Sequence, residues 1–324
     1  MGLIARPSKT LRIPFAFEIV TWYGSSKGID DKRNIDNVII PTTDDAAWEY
    51  FFEHRWVYDK LLLADINDIP CGPYGVYPTE YPVIVKPIVN LIGGGYGSRK
   101  VDNEKDLEKY LLPELFWMNY FKGEHLSYDC VVKDGSVLYM EIFKGHVLRD
   151  GMFDFWETVT HEVGSAQINN IVNWTETNLS GYTGCSCYET INDNMIEAHL
   201  RMGDIDRFMN PTLMQSIVNL YRNGSWNYQE KEYRKYYLFA VFAPYTQEVN
   251  ISKKLLDQAE KDCVFFQLDS SDGELANPPA GKRIFVLGTW DQDVGVRIRN
   301  KLINNISPPI PDEYVLPLYG YKSD

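Results

Sequence analysis

Two glutamates, Glu189 and Glu197, stand on either side of Asn192-Asp193-Asn194, between two runs of strand-forming residues. Asn and Asp tolerate the left-handed backbone of a tight turn, so Cys187 to Arg201 reads as a hairpin centred on Asp193. If 189 pairs with 197, the two-residue period of a strand puts Glu189, Glu197, His199 and Arg201 on one face and Ile196, Ala198 and Leu200 on the other. Carboxylates directly opposite each other repel unless a positive charge lies between them. A divalent cation supplies it, and hard oxygen ligands with few others suit Mg²⁺. The alternative is a solvent-facing hairpin with ordinary surface acids, and a one-residue slip in register would separate the pair.

A second chemical feature is Lys86, at the end of the apolar run Tyr81 to Pro87 and just before the glycine-dense stretch Ile92 to Lys100. An ammonium there can meet an anion, and glycines let backbone N–H groups approach phosphate oxygens. A solvated lysine before an ordinary loop fits the same residues. The loop is not a Walker A motif, since no GK[ST] follows, nor GxGxxG, since Lys100 stands where the last glycine belongs. The third feature is Phe121 to Asp129, where Glu124 follows the apolar run Phe116 to Tyr120. It reads as a core strand and polar turn, or as an apolar wall for a nucleobase with a carboxylate for ribose hydroxyls.

The order of elements must position these groups. From Asp44, the residues Ala47, Trp48, Phe51, Phe52 and Trp56 recur at helical spacing, and Leu61 to Asn67 repeats the pattern, with Pro70, Gly72 and Pro73 ending that helix. A strand at Phe15 to Val20, a charged helix at Asn103 to Tyr110 and two strands joined by Asp134-Gly135 follow from the same rules. Beyond Arg201 come a helix at 211 to 222, strands near 236 to 243, 263 to 268 and 283 to 288, and a last helix. That helix has Thr289 as N-cap, Gln292 at the capping-box position, and Val294, Ile298 and Leu302 on one face. Strands alternating with short helices make an α+β chain.

With 324 residues, 44% hydrophobic and 14% aromatic, the chain can bury a large core. A net charge of −13 argues against nucleic-acid binding, because phosphate backbones demand a clustered basic surface. No window approaches the roughly 18 apolar residues of a membrane span. The start lacks an apolar leader, Arg6 stands where myristoylation wants Ser or Thr, and five cysteines in no framework spacing fit reduced thiols, so a cytoplasmic protein is expected. His161-Glu162 opens a zincin-like motif, but Ser165 occupies the position of its second histidine.

Taken in order, the segments from Asp59 to Arg201 resemble the ATP-grasp superfamily. Asp59-Lys60 opening a helix that leads to Ile69-Pro70 is similar to that family's first segment, and Val83 to Pro87 resembles its VxKP strand. The glycine loop resembles its phosphate lid. Gly123-Glu124 with Ser127 and Asp129 is similar to its GxE-x-S segment, and the hairpin of Glu189 and Glu197 resembles its metal-bearing strands. The resemblance implies an ATP-grasp fold of two α+β lobes clasping ATP at 59–245. A short N-terminal cap at 1–58 and an α/β extension at 246–324 flank it.

It further implies an ADP-forming carbon–nitrogen ligase that activates a carboxylate as an acyl phosphate. An ATP-grasp kinase and a nucleotide-binding regulatory or scaffold protein without turnover are the alternatives. Lys60 and Lys86 would meet the ATP phosphates, with Gly94, Gly95 and Gly97 in the lid. Met118 and Tyr120 would hold adenine through backbone groups and Glu124 the ribose. Glu189 and Glu197 would carry Mg²⁺, with Mn²⁺ as a substitute, and Arg201 would face the transferred phosphoryl group. Lys86, Arg201 and His199 form the catalytic set. The implied partners are ATP, a carboxylate and a nucleophile, and a homo-oligomer is compatible with this reading, whereas nucleic acid and membrane are not. Where the family reads Glu-x-Asn-Pro-Arg, this chain reads Glu197-Ala198-His199-Leu200-Arg201. Imidazole is a poor Mg²⁺ ligand, so His199 orients substrate or leaves one metal position to water. Asn119 stands where the family's hinge commonly has glutamate.

Overall fold

In the computed structural model the described residues are 38, 40, 41, 43–93, 95–149, 152–203, 211–229, 234–244, 247–268 and 282–311. They fall into two compact units, one of Met1–Ile142 with Thr160–Gln229, the other of Phe143–Val159 with Glu230–Asp324. The run Phe15 to Val20 lies outside the described residues.

In the first unit, helix α1 (Asp44–Tyr50), a 3-10 turn (Arg55–Tyr58) and helix α2 (Lys60–Ile66) precede a four-stranded antiparallel sheet. Its strands are β1 (Cys71–Pro73), β2 (Val83–Pro87), β3 (Arg99–Val101) and β4 (Leu115–Asn119), in the order β1-β4-β2-β3, with helix α3 (Glu104–Tyr110) between β3 and β4. The Asp59 side chain accepts from the Leu62 N–H and Asn103 from that of Asp106, which satisfies open N–H groups at the starts of α2 and α3. The apolar run from Tyr81 is a strand because both faces are covered: Val83 and Val85 pack with Val101, Leu107 and Trp117, while Ile84 packs with Phe116, Met118 and Ala64.

The same unit carries strands β5 (His125–Lys133), β8 (Gly184–Ile191) and β9 (Asn194–His199), in that order, beside the first half of β6 (Ser136–Arg149). Helices α4 (Ser165–Asn178) and α5 (Pro211–Asn223) complete it. Asp134 and Gly135 both have positive φ, so the β5–β6 connection is the tight hairpin their types predict. The second unit orders β11 (Phe265–Leu268), β12 (Lys282–Thr289), β10 (Tyr237–Ala243), β7 (Met152–Thr158) and the second half of β6. Helices α6 (Lys253–Asp262) and α7 (Gln292–Ile303) add Ala259, Ile298 and Leu302 to its core of Phe155, Phe239 and Phe285.

Three local expectations need correction. The helix that starts at Asp44 stops at Tyr50, and Trp56 belongs to the separate 3-10 turn. Helix α2 ends at Ile66, before Pro70. The last helix is capped by Asp291, whose carboxylate accepts from the Val294 N–H, while Thr289 closes β12 and donates to the Asp291 carbonyl. Helical spacing marks the covered face, while the boundary is set by local hydrogen bonding, in the last helix by the Asp291 side chain. Among the described residues no helix is long and apolar enough to cross a membrane. The architecture is α+β, as expected.

Candidate active site

The hairpin of β8 and β9 pairs Glu189 with Glu197 by a route the sequence did not show. Asn192 and Asp193 have φ of 46° and 67°, a two-residue turn that pairs Ile191 with Asn194 and Thr190 with Met195. Continued without interruption, that register would set Glu189 against Ile196. A bulge between Glu189 and Thr190 makes Ile196 the extra residue, and Glu189 then faces Glu197. The bulge also gives the Ile196 carbonyl a different partner: Lys86 Nζ donates to it at 2.9 Å. The Ile196 side chain meanwhile packs with Met118, Ile84 and Phe116. One irregular residue thus sets the carboxylate pair and docks β9 on β2.

Around the pair, cations arrive from several elements. Lys60, buried at the first position of α2, donates its ammonium to Glu197 Oε1. His125 of β5 holds Glu189 Oε2 at 3.0 Å. His199 Nε2 lies 3.4 Å from Glu197 Oε2 and 4.0 Å from Glu189 Oε1, while its Nδ1 lies 2.9 Å from Asp44 Oδ1. Arg201 Nε reaches Asp44 Oδ1 at 2.8 Å and Nη2 reaches Oδ2 at 3.1 Å. The Tyr58 hydroxyl accepts the Leu200 N–H at 3.1 Å and also bonds Asp44.

These contacts fix protonation. Burial pushes Lys86 down to about 8, with Glu197 opposing that shift. Burial also works to lower His199, but Asp44 outweighs it and lifts the imidazole to about 9. Burial would raise Glu189 and Glu197, yet His125 holds the first below the usual carboxylate range and Lys60 holds the second well below it. For Asp44, Arg201 and His199 overcome burial in the same way. Burial and Asp44 push the Tyr58 phenol up, so it stays neutral. Lys60, Lys86, His199 and Arg201 thus gather around Asp44, Glu189 and Glu197, a local concentration of basic groups in a chain of net charge −13. Such a concentration suits a polyanion small enough to fit among these side chains.

The structure brings together Lys60, Lys86, Glu189, Glu197, His199 and Arg201. Gly95 and Gly97 lie between β2 and β3 with φ of 64° and 76°, a backbone that favours glycine, and Gly94 lies outside the described residues. Met118 is buried in β4, and Tyr120 follows it with its ring 5.5 Å from Lys100 Nζ. Glu124 is exposed and its backbone is tied to Asn192, at the opposite end of the hairpin from His199. Asp44, Tyr58 and His125 escaped the sequence reading. Only His125 carried a signal: it is two residues from Ser127, which pairs with Glu189 across β5 and β8 and so shares its face.

The donor set fits a magnesium ion. Glu189 and Glu197 keep 27% and 20% of their side chains exposed, so their oxygens are accessible, whereas the His199 ring is buried and engaged at both nitrogens. Together the three form the cluster of ligand atoms, all within 4.8 Å of one another, but oxygen donors come only from the glutamates.

A scan of protein-family models and a search of curated proteins find no match to the sequence. Solved structures do match. The chain is similar to an L-amino acid ligase from Bacillus licheniformis at 12% identity, covering 81% of this chain and 76% of that one, with a TM-score of 0.57. It is similar to a phosphoribosylamine–glycine ligase from Thermotoga maritima at 12% identity, covering 78% and 77%, with a TM-score of 0.53. It also resembles the biotin carboxylase domain of a Hydrogenobacter thermophilus 2-oxoglutarate carboxylase in complex with MgADP, ADP and bicarbonate. There the identity is 14%, the coverage 80% and 67%, and the TM-score 0.52. All three are ATP-grasp proteins. The fold of this chain is the ATP-grasp fold.

Proposed function

We propose that the protein is an ATP- and Mg²⁺-dependent ligase that activates a carboxylate as an acyl phosphate and joins it to an amine or similar nucleophile. The observation that carries this reading is the carboxylate pair, Glu189 opposite Glu197, with Lys60 bonded to Glu197 and Lys86 to the neighbouring Ile196 carbonyl. A carboxylate oxygen of the substrate attacks the terminal phosphorus of ATP, an O–P bond forms, and the bond to ADP breaks. The nucleophile's nitrogen then attacks the acyl carbon, phosphate leaves, and the nitrogen gives up its proton. Such chemistry is mostly positioning and charge neutralisation.

Lys60 and Lys86 bind phosphate oxygens, and Gly94, Gly95 and Gly97 let the loop's N–H groups approach them. Met118 and Tyr120 hold adenine, Glu124 takes the ribose, and Arg201 faces the transferred group. Glu189 and Glu197 would hold Mg²⁺, which when bound screens the charge of the phosphate oxygens; Mn²⁺ would serve similarly. His199, hydrogen-bonded to Glu197, orients that carboxylate and the acceptor beside it. The three-segment division at 58 and 245 and a cytoplasmic setting belong to the same proposal, and five cysteines with no disulfide among them suit a reducing compartment.

One observation favours a second reading. His199 stands where the resembling family has asparagine, and its imidazolium leans on Glu197, as a nucleotide binder without turnover would tolerate. Incubation with ATP, Mg²⁺ and pooled carboxylates and amines separates the readings. A ligase yields ADP, free phosphate and a condensed product; a kinase yields ADP and a phosphorylated acceptor; a binder yields none of these.

A further inference from the structure

We infer that Asp44 is a positioning residue for phosphoryl transfer, clamping Arg201 and His199 in one arrangement from outside the segment that carries the nucleotide-binding motifs. The inference rests on the ligase reading for the identity of the group that Arg201 faces.

Asp44 opens α1, far along the chain from the hairpin, yet its carboxylate serves both functional residues at the end of β9. Oδ1 accepts from His199 Nδ1 at 2.9 Å and from Arg201 Nε at 2.8 Å, and Oδ2 accepts from Arg201 Nη2 at 3.1 Å. A two-point hold of this kind fixes the plane of a guanidinium as well as its position. Tyr58 adds a third tie by bonding Asp44 and accepting the Leu200 N–H at 3.1 Å, so residues 199, 200 and 201 are all anchored to one pair of side chains. The guanidinium also donates from Nη1 to the Met202 carbonyl at 3.1 Å, within the same turn of chain.

Exposure separates the roles. Asp44 is 4% exposed and Arg201 18%, so Arg201 can reach a bound group and Asp44 acts only through it. With its oxygens taken up by Arg201, His199 and Tyr58, Asp44 is a poor candidate for a metal ligand or a base. A buried carboxylate between two cations is instead the arrangement expected of a group that aims others.

The test is Asp44→Asn in the full chain, with MgADP and MgADP plus aluminium fluoride as probes in calorimetry. Aluminium fluoride mimics the phosphoryl group in transit, so it reads the aim of Arg201 while MgADP alone reads the rest of the site. MgADP affinity is expected to stay within about twofold of wild type. The extra affinity conferred by aluminium fluoride is expected to fall about 10²-fold, the scale of a misplaced reacting group. In turnover the loss falls on kcat and spares KM for ATP, which a merely structural role would not do.

If Asp44→Asn fails to fold, Tyr58→Phe removes one tie to Asp44 while keeping the ring, and the same selective loss is expected at about threefold. The inference is overturned if aluminium fluoride tightens MgADP as much in the variant as in wild type, or gives wild type no gain. A wild-type chain that binds no MgADP at all overturns the ligase reading itself, and this inference with it.

Discussion

Each unit holds a cluster of charged side chains, and the two are built on opposite rules. In the second unit, Arg299 is buried against Asp154, and Glu157 lies between His146 and Lys235, 2.8 Å from each, so both of these acids sit against a base. In the first unit, Glu189 is set directly against Glu197, and Lys60, His125 and His199 close on that facing pair. Facing like charges destabilise a strand pair, and buried lysines cost desolvation. A fold that needed only stability would pair charges as the second unit does. The first arrangement makes sense where a cation and a polyanion arrive from outside, and that contrast supports the proposed site.

The largest expected effect breaks the first arrangement. Glu189→Gln combined with Glu197→Gln is expected to cost Mg²⁺-dependent ADP release at least about 10³-fold while the protein keeps a cooperative unfolding transition. Full activity in the double variant would sink the metal assignment. Arg299→Ala tests the other side. Leaving Asp154 buried without its partner is expected to cost about 3–5 kcal/mol in denaturant unfolding, with nucleotide affinity of the folded protein unchanged. Burial pushes the Asp154 carboxyl up even beside Arg299, so the pair is not a strong source of stability. Arg299→Met with Asp154→Leu should therefore recover most of that loss, and failure to recover would show that the pair matters for more than charge balance.

The smallest effect concerns pH. Burial would raise Glu157, but His146 and Lys235 hold it down to about 2. A carboxyl lowered on folding stabilises fully above its unfolded value and loses that contribution as pH falls toward 2. Wild type should therefore exceed Glu157→Gln in stability near neutral pH by about 2 kcal/mol or less, since the partners are partly exposed. The difference should shrink between about pH 4.5 and 2 in acid titrations of both proteins. A gap independent of pH would remove the charge explanation.

The strand-and-turn framework was legible because it rests on neighbours in sequence. Asp134-Gly135 and Asn192-Asp193 announce hairpins by their backbone tolerance, and alternation alone put Glu189, Glu197, His199 and Arg201 on one face. The facing of Glu189 and Glu197 was anticipated from a hairpin centred on Asp193, whereas the structure reaches the same pairing by a shorter turn and a bulge. Nothing in the residue pattern marks Ile196 as the extra residue, because a bulge depends on what the neighbouring strand requires. Asp44 was invisible as a site residue for a related reason. Its partners His199 and Arg201 are more than 150 positions away, and its local pattern, an acid in the first turn of a helix, has a sufficient local explanation. The same holds for Thr289, a plausible cap by type, displaced by Asp291, whose side chain reaches the open N–H.

The central claim is that the carboxylate pair and the two lysines form one nucleotide–metal site. Its most direct test is a crystal structure of the chain with a non-hydrolysable ATP analogue and Mn²⁺, with the ion located by anomalous scattering. The account predicts Mn²⁺ between the Glu189 and Glu197 carboxylates, the triphosphate on Lys60 and Lys86, and the Lys60–Glu197 contact opened to admit it. Nucleotide bound elsewhere, or bound here with no ion between the glutamates, would contradict it.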